Sequence, residues 1–220
     1  MLILLKKGNK KFALSEFLQY YSIMLKKLDE ICSILPGVSL RKKPTESGDK
    51  LAPRLLSISS LNRDYIDLSD DHHTKIEPIS NIDKYKLQAG DIAFSTRGTI
   101  NKASMMTESQ KTYITPAQIF IIRPDKSRIN PLYLTHYLNS NNAKRLFQSK
   151  QRGTVIKNLT KTSLAELLVY LPSLEDQQRI VGFNQLITKE KELQDRIHTL
   201  RVNLFEQTIK PSVINTTISS

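Results

Sequence analysis

The stretch GTVIKNLTKTSLAELLVYLPSLEDQQRIV, from Gly153 to Val181, decides how this chain is organised. A basic segment typical of a loop runs into a short apolar element, which stops at Leu171-Pro172. Beyond it, Ser173 and Asp176 resemble a capping box with Asp in place of the usual Glu or Gln, which predicts the start of a helix. The stretch therefore predicts a boundary between a body before Pro172 and a long helix after it.

Charge is distributed unevenly across this boundary. Eight basic residues and no acidic residue lie between Lys126 and Ala165, whereas six basic residues balance six acidic ones from Ser173 to the end. The whole chain carries a formal net charge of +12. A strongly cationic body suits a polyanion, above all nucleic acid, and a neutral helix suits a protein partner.

The sequence of the body predicts an α+β fold with a mixed or antiparallel sheet and short helices. Apolar residues near helical spacing predict a helix over residues 12–35, which Pro36-Gly37 ends. Asn130-Pro131 predicts the start of another helix, and Ala143–Phe147 predicts its continuation or a second short one. Short segments rich in β-branched and aromatic residues predict strands at Arg54–Ser59, Tyr85–Leu87, Asp91–Ser95, Ala103–Met106 and Gln118–Ile122.

The helix after Pro172 carries an apolar seam with intervals of three, four and seven residues, interrupted by Glu190. This pattern is typical of a coiled coil, so we expect one long C-terminal helix of the coiled-coil type that pairs with another long helix. A helix that covers the core of its own chain is the alternative. The predicted dimerisation residues are Phe183, Leu186, Leu193, Ile197, Leu200 and Leu204.

No motif in the sequence indicates catalysis. The sequence contains no glycine-rich phosphate loop, nucleophile elbow or HExxH motif. Cys32 is the only cysteine, so a Cys-based zinc site is excluded and a buried structural thiol is expected. Asp70-Asp71-His72-His73 invites a metal hypothesis, but a solvated turn explains it better because no nearby cluster completes a ligand set. We therefore expect no cofactor and no metal.

The sequence also predicts a cytoplasmic protein without a membrane partner. The apolar run Met1–Leu5 is far too short to span a membrane, and Lys6-Lys7 close it off.

Two segments combine hydroxyl groups and cations near a glycine, which suits contacts with phosphates or base edges. One follows the predicted strand at Asp91 and contains Gly98, and the other lies in the acid-free stretch around Gly153. An ordinary hairpin turn would have a similar composition. The candidate DNA-binding residues are Ser95, Arg97, Thr99, Lys102, Lys150, Arg152, Thr154, Lys157 and Lys161.

Several ordered motifs resemble the specificity (S) subunits of type I restriction-modification enzymes, over about residues 27–210. The Leu171–Val181 junction is similar to that family's "L-P-x-L-x-E-Q-x-x-I-V" motif and is the most specific match, with Asp176 in place of the usual Glu. The other matching segments are Lys27–Cys32, Leu87–Ile92 with the turn at Arg97-Gly98-Thr99, Asn130–Leu134 with Tyr137-Leu138, and Gly153–Leu159.

The resemblance implies a target-recognition domain over residues 27–172 and a conserved dimerisation helix over 173–210. Pro211 ends that helix, which predicts a flexible tail over 211–220. It implies no catalytic group in this chain. The implied partners are double-stranded DNA, a methyltransferase (M) subunit that methylates adenine and, where one is present, an ATP-driven restriction (R) subunit. Full-length S subunits have two recognition domains and two long helices, whereas this chain has one of each. A second copy or a different half is therefore the expected helix partner.

Three questions stay open at this point. The basic, helical segment over residues 1–26 lies outside the resemblance and is a remnant, a capping helix or a partner site. The leading alternative function is a non-catalytic adaptor whose long helix binds a protein and whose charge is incidental. An RNA-binding module has weaker support, because the chain lacks Trp and an aromatic cluster of the kind that stacks RNA bases.

Overall fold

The structure is a computed structural model that describes residues 24–40, 52–62, 64–69, 74–76, 81–97, 101–109, 111–150 and 159–209. The chain divides into two compact units. Residues Met1–Gln178 are called the body below, and Arg179–Ser220 are called the helical unit.

The body is built on a four-stranded antiparallel sheet of Cys32–Leu35 (β2), Ile92–Ser95 (β5), Ala103–Met105 (β6) and Ile119–Pro124 (β8), in the strand order β2-β8-β5-β6. The predicted strands β5, β6 and β8 are confirmed. Strand β8 lies between two other strands, and Ile119, Ile121 and Ile122 on its two faces are fully buried, which explains its run of β-branched and aromatic residues.

Two smaller sheets complete the described part of the body. Strand β3 (Arg54–Leu55) lies between β4 (Thr74–Lys75), which is antiparallel to it, and β7 (Tyr113–Ile114), which is parallel. Strands β1 (Leu25–Lys27) and β9 (Leu168–Tyr170) form an antiparallel pair. The expected mixed, mainly antiparallel arrangement is confirmed.

Two strand predictions need correction. The predicted strand at Arg54–Ser59 ends at Leu55, because Ser57 accepts a hydrogen bond from the backbone N–H of Ser59 and starts a 3-10 turn. The segment Tyr85–Leu87 is not a strand. Residues Ile82–Tyr85 form a 3-10 turn, and Lys86 makes only an isolated bridge to Ile114.

The helix predicted over residues 12–35 is wrong from Leu25 onward, and residues 12–23 lie outside the described residues. Leu28–Glu30 form a 3-10 turn between β1 and β2. In β2, burial alternates along Cys32-Ser33-Ile34, which is the period of a strand. The backbone hydrogen bonds of this segment are made with strands distant in sequence, since β1 pairs with β9 and β2 pairs with β8. These pairings override the helical preference that the local apolar spacing indicated.

The helices begin at capping residues. Helix α1 (Pro131–Asn139) starts where Asn130-Pro131 predicted, because Asn130 Oδ1 accepts from the N–H groups of Leu132 and Tyr133 at 2.9 and 3.2 Å. Helix α2 is separate and spans Asn141–Lys150, α3 spans Lys161–Ala165, and α4 spans Leu174–Ile209.

The predicted helix start at Ser173 is confirmed. The N–H of Asp176 donates to Ser173 Oγ at 3.1 Å, and the Ser173 hydroxyl donates to Asp176 Oδ2 at 2.7 Å. Asp176 is thus the third residue after the N-cap Ser173, the position at which a capping box usually has Glu or Gln. Its negative charge also interacts favourably with the positive end of the helix dipole.

Two tyrosines attach α1 to β9. The Tyr133 and Tyr137 hydroxyls donate to the carbonyls of Tyr170 and Leu168 at 2.7 and 2.8 Å. The two tyrosines are four residues apart, which is about 6 Å along a helix, and the two carbonyls are two residues apart, which is about 6.7 Å along a strand. The two spacings are therefore nearly equal. The spacing of the two tyrosines therefore satisfies two carbonyls of β9.

Candidate nucleic-acid interface

The connection between β5 and β6 is held at its base by buried polar side chains. Ser95 Oγ accepts a hydrogen bond from the N–H of Lys102 at 2.8 Å, and Asn101 Nδ2 donates to the Ser95 carbonyl at 2.8 Å. Ser95 and Asn101 are 1% and 8% exposed. These bonds hold the two ends of the loop together, so it leaves the sheet from a fixed base.

Thr96 joins this loop to the segment that precedes α3. The Thr96 N–H and hydroxyl both donate to the carbonyl of Gln118, at 2.9 and 3.0 Å. The Thr96 carbonyl in turn accepts from the N–H of Leu159 at 3.1 Å, and Leu159 is buried. The structure therefore brings the ends of the two segments that carry the candidate DNA-binding residues into direct contact.

The described candidates differ in exposure. Arg97, Lys102 and Lys161 are exposed, whereas Ser95 is buried and its hydroxyl is used inside the loop. Lys161 is the first residue of α3, which Thr160 caps by accepting from the Ser163 N–H at 3.1 Å. The candidates outside the described residues are Thr99, Arg152, Thr154, Lys157 and the side chain of Lys150.

Asp91 organises the other end of β5. The Arg123 guanidinium of β8 donates to both Asp91 carboxylate oxygens, at 2.8 and 2.7 Å, and the Gln88 N–H donates to Asp91 Oδ2 at 2.8 Å. The hydrogen bond with Asp91 raises the pKa of Arg123. Gly90 has φ +88°, a left-handed conformation that glycine adopts without strain. The Gly-Asp pair of the "L-x-x-G-D-I" motif is thus a turn followed by a buried carboxylate that pairs with a partly exposed arginine.

Asn139 is a supporting residue that the sequence analysis missed. Its Nδ2 donates to the Ala103 carbonyl at 2.8 Å, and its Oδ1 accepts from the Ala103 N–H at 3.0 Å. The side-chain amide thus pairs with β6 as a neighbouring strand would. Local sequence gives no signal for this contact, because the two residues lie 36 positions apart.

Gln177 holds the first turn of α4 to the rest of the body. Its Nε2 donates to the carbonyls of Pro172 and Arg128 at 2.8 and 3.2 Å, and its Oε1 accepts from the Asn130 N–H at 2.7 Å. The residue is fully buried. The only signal for this role is its position in the motif at Leu171–Val181.

The helical unit presents apolar side chains to the surface. The predicted seam residues are 48–69% exposed. A second row of apolar side chains lies on another side of the helix, about 120° from the seam when each residue turns the helix by 100°. Its apolar members, each at least 40% exposed, are Ile180, Ile187, Val202, Phe205 and Ile209.

Other chemical groups are few in the described part of the chain. No three His, Cys, Asp or Glu side chains in that part are placed to hold a metal ion, and residues 70–73 lie outside it. His136 is 11% exposed, with Nε2 at 3.1 Å from Asp64 Oδ1. Among the described residues, no helix is both long and apolar enough to cross a membrane.

Comparisons with known proteins agree on one family. The family described as "Type I restriction modification DNA specificity domain" matches residues 22–199. The chain is similar to the putative type I restriction enzyme MjaX specificity subunit of Methanocaldococcus jannaschii, with 26% identity over 155 residues. That match covers 69% of this chain and 36% of the relative.

Two solved structures share the fold. One, described as the structural basis of complex assembly and conformational transition of the type I R-M system, matches with a TM-score of 0.61 and 17% identity. The other, the HsdS subunit of Thermoanaerobacter tengcongensis, matches with a TM-score of 0.56 and 17% identity. Each match covers 84% of this chain but 43% and 46% of the solved chains, so this chain spans less than half of their length.

Proposed function

The chain belongs to the family of type I restriction modification DNA specificity domains, and from that premise we propose that it directs a methyltransferase to a specific double-stranded DNA sequence. In this proposal the chain supplies recognition in the cytoplasm. A methyltransferase subunit transfers the methyl group to adenine, and an ATP-driven restriction subunit cleaves DNA where one is present. The similarity to the putative specificity subunit of M. jannaschii supports the specificity role.

The observation that carries the proposal is the contact between Thr96 and Leu159. It joins the β5–β6 loop to the acid-free stretch, and the exposed cations Arg97, Lys102 and Lys161 belong to these two segments. A surface rich in cations and without carboxylates favours the phosphate backbone, while loop side chains reach base edges.

We assign different roles to the candidate residues. Lys150, Arg152, Lys157 and Lys161 contact phosphates, and Arg97 reads a guanine or contacts a phosphate beside it. Thr99, Lys102 and Thr154 add polar contacts from the same two segments. Ser95 supports the loop from within, because its hydroxyl already accepts from the Lys102 N–H.

The partner proposal follows from the two apolar rows of α4. The seam around Ile197 and Leu200 pairs with the same seam of a second copy or of a different half. The second row, around Phe205, then stays free for a helix of the methyltransferase subunit. Two exposed rows suit two protein partners better than one.

Salt dependence of DNA binding tests the electrostatic part of the proposal. If five to seven phosphates are neutralised, the logarithm of the binding constant falls with the logarithm of salt concentration with a slope of roughly −4.5 to −6.3. Replacing Lys150, Arg152, Lys157 and Lys161 with Ala should weaken binding to all duplexes and reduce the slope by two or more. The matched control replaces four cations of α4, namely Lys189, Lys191, Arg196 and Arg201. Equal loss in both variants would refute the assignment.

Methylome sequencing tests the biological role. Cells that express the chain with its candidate methyltransferase should acquire methylated adenine at one defined sequence, and cells with either protein alone should not. Purified chain with S-adenosylmethionine should leave DNA unmethylated and uncut. The adaptor alternative predicts that the chain binds its protein partner but has no effect on which adenines are methylated.

A further inference from the structure

Helix α2 is fastened at two points to the base of the β5–β6 loop. Asn139, two residues before the helix, pairs with both backbone groups of Ala103 in β6. Phe147 in α2 packs edge-on against Phe94 in β5, with ring centroids 5.4 Å apart and an interplanar angle of 62°. Phe94 and Ala103 face each other in the register of the two strands. Both anchors therefore hold α2 beside the strand pair from which the loop leaves.

The helix turns a polar face away from the body. Ala143 and Phe147 are 0% and 2% exposed, whereas Asn141, Asn142 and Arg145 are exposed, with Leu146, 41% exposed, as the apolar residue beside them. Arg145 lies two positions after Ala143 and so points to the opposite side of the helix. Asn142 and Arg145 are three positions apart and are neighbours on that outer face.

The charge of α2 identifies its partner. The sequence NNAKRLFQSK contains three cations and no carboxylate, and it lies inside the acid-free stretch between Lys126 and Ala165. An α-helix fits the major groove of B-DNA, and ten residues give about 15 Å of helix. Asn forms paired hydrogen bonds with adenine, and Arg forms them with guanine.

We propose that α2 is a recognition helix whose residues Asn142 and Arg145 read base edges in the major groove beside the contacts of the β5–β6 loop. This inference rests on the proposed function and adds residues that determine the target sequence. The anchors at Asn139 and Phe147 are positioning residues. They set where the helix lies relative to the loop and do not contact the bases.

The test uses the full chain, alone and with its methyltransferase, and a duplex pool with randomised sequence. Bound duplexes are sequenced for the wild type, Asn142→Ala, Arg145→Lys and the control Lys84→Ala, which removes an exposed cation outside the acid-free stretch. Arg145→Lys keeps the charge but loses the two-pronged hydrogen-bonding geometry. All three positions are exposed, so thermal unfolding should match the wild type.

The expected result is a loss of preference at one or two base positions, by about 5- to 150-fold, in Asn142→Ala and Arg145→Lys. The affinity of Arg145→Lys for duplexes that lack the preferred base should stay near that of the wild type, because the charge is kept, and Lys84→Ala should enrich the wild-type sequence. An unchanged sequence in both α2 variants, or a loss that is equal for all sequences, overturns the inference while the proposed function stands. A wild-type chain that enriches no sequence overturns the proposed function and this inference with it.

Discussion

At the scale of single residues, Asp91 shows how the body tolerates a buried charge. The residue is 2% exposed, and three hydrogen bonds from Arg123 and Gln88 surround its carboxylate. Burial of a carboxylate is costly unless it is paired and hydrogen-bonded. The Arg123 side chain is 33% exposed, so water solvates part of the pair.

Asp91→Asn should lower the free energy of unfolding by about 1.5–3 kcal/mol, because the substitution removes the charged acceptor of these bonds. This is below the range for a fully buried pair, since water compensates Arg123 in part. The control Asp83→Asn removes a surface ion pair with Lys86 and should cost under about 1 kcal/mol. Urea unfolding measures both. Equal effects would contradict the role assigned to Asp91.

Cys32 is the second residue with a testable property. Burial, with a smaller contribution from Asp125, raises the pKa of its thiol to about 12. A thiol that stays protonated reacts slowly with disulfide reagents. The native protein should therefore react with almost no Ellman's reagent at pH 8. Unfolding in guanidinium should expose one reactive thiol per chain, since Cys32 is the only cysteine.

The same pKa shift makes the free energy of unfolding depend on pH. The unfolded thiol ionises near its ordinary pKa of 9.0, whereas burial raises the pKa of the folded thiol to about 12. This contribution is thus fully present below pH 9 and is lost as pH rises toward 12. Cys32→Ala should show a shallower loss of stability over that interval. Rapid labelling of the native protein, or an unchanged pH slope in Cys32→Ala, would argue against a buried thiol.

At the scale of elements, the start of α4 depends on one amide. Gln177 makes three hydrogen bonds without exposure to water, whereas its neighbour Gln178 is exposed and contacts Asn130 at 3.4 Å. Gln177→Ala leaves two carbonyls and one N–H without these partners. Each buried polar group left unpaired costs about 1–3 kcal/mol before relaxation or water entry.

Gln177→Ala should therefore destabilise the body by about 2–4 kcal/mol. Gln178→Ala is the matched control and should stay within about 0.5 kcal/mol. Chemical unfolding followed by circular dichroism distinguishes them. If the two variants unfold at the same denaturant concentration, the hydrogen bonds of Gln177 add nothing measurable.

Elements with strong local signals could be predicted from sequence, and elements made by distant partners could not. Strand β8 has a dense β-branched run, α1 has its Asn-Pro start, and α4 has its cap. Strands β1 and β9 have only three residues each and owe their form to pairing across more than 140 positions. Local spacing therefore gave the wrong structure after Leu25.

The same distinction holds for the candidate site. Cations and hydroxyls are visible in composition, so exposed Arg97, Lys102 and Lys161 could be named in advance. Burial of Ser95 and the support from Asn139 depend on contacts that only the folded chain defines. Helix α2 was predicted in part, but its outward face could be assigned only once Phe147 was seen against Phe94.

At the scale of the whole molecule, the 36 residues of α4 give a helix of about 54 Å. An antiparallel pair of two such helices from identical chains would form a two-fold dimer. Two identical recognition domains would then read an inverted repeat, with a spacer set by the helices. An asymmetric target would instead indicate pairing with a different half.

Replacing Ile197 and Leu200 with Asp should split the dimer, because the substitutions place charges in the apolar seam. The variant should bind a single half-site weakly and lose binding to the two-part site. Gln185→Asp with Asn203→Asp adds the same charge away from both apolar rows and should leave the dimer intact. Light scattering at micromolar concentration reports the mass. A monomeric wild type, with and without methyltransferase, would refute the dimer.

The hydrogen bonds at the base of the β5–β6 loop bear on how target sequences diverge between related chains. They join main-chain atoms either to one another or to four side chains, those of Ser95, Thr96, Asn101 and Asn139. None of these bonds uses the side chain of Arg97, so this exposed loop position is free to mutate while its support persists. Selection can then explore new DNA targets through a few loop codons, and the inherited framework needs no compensating change.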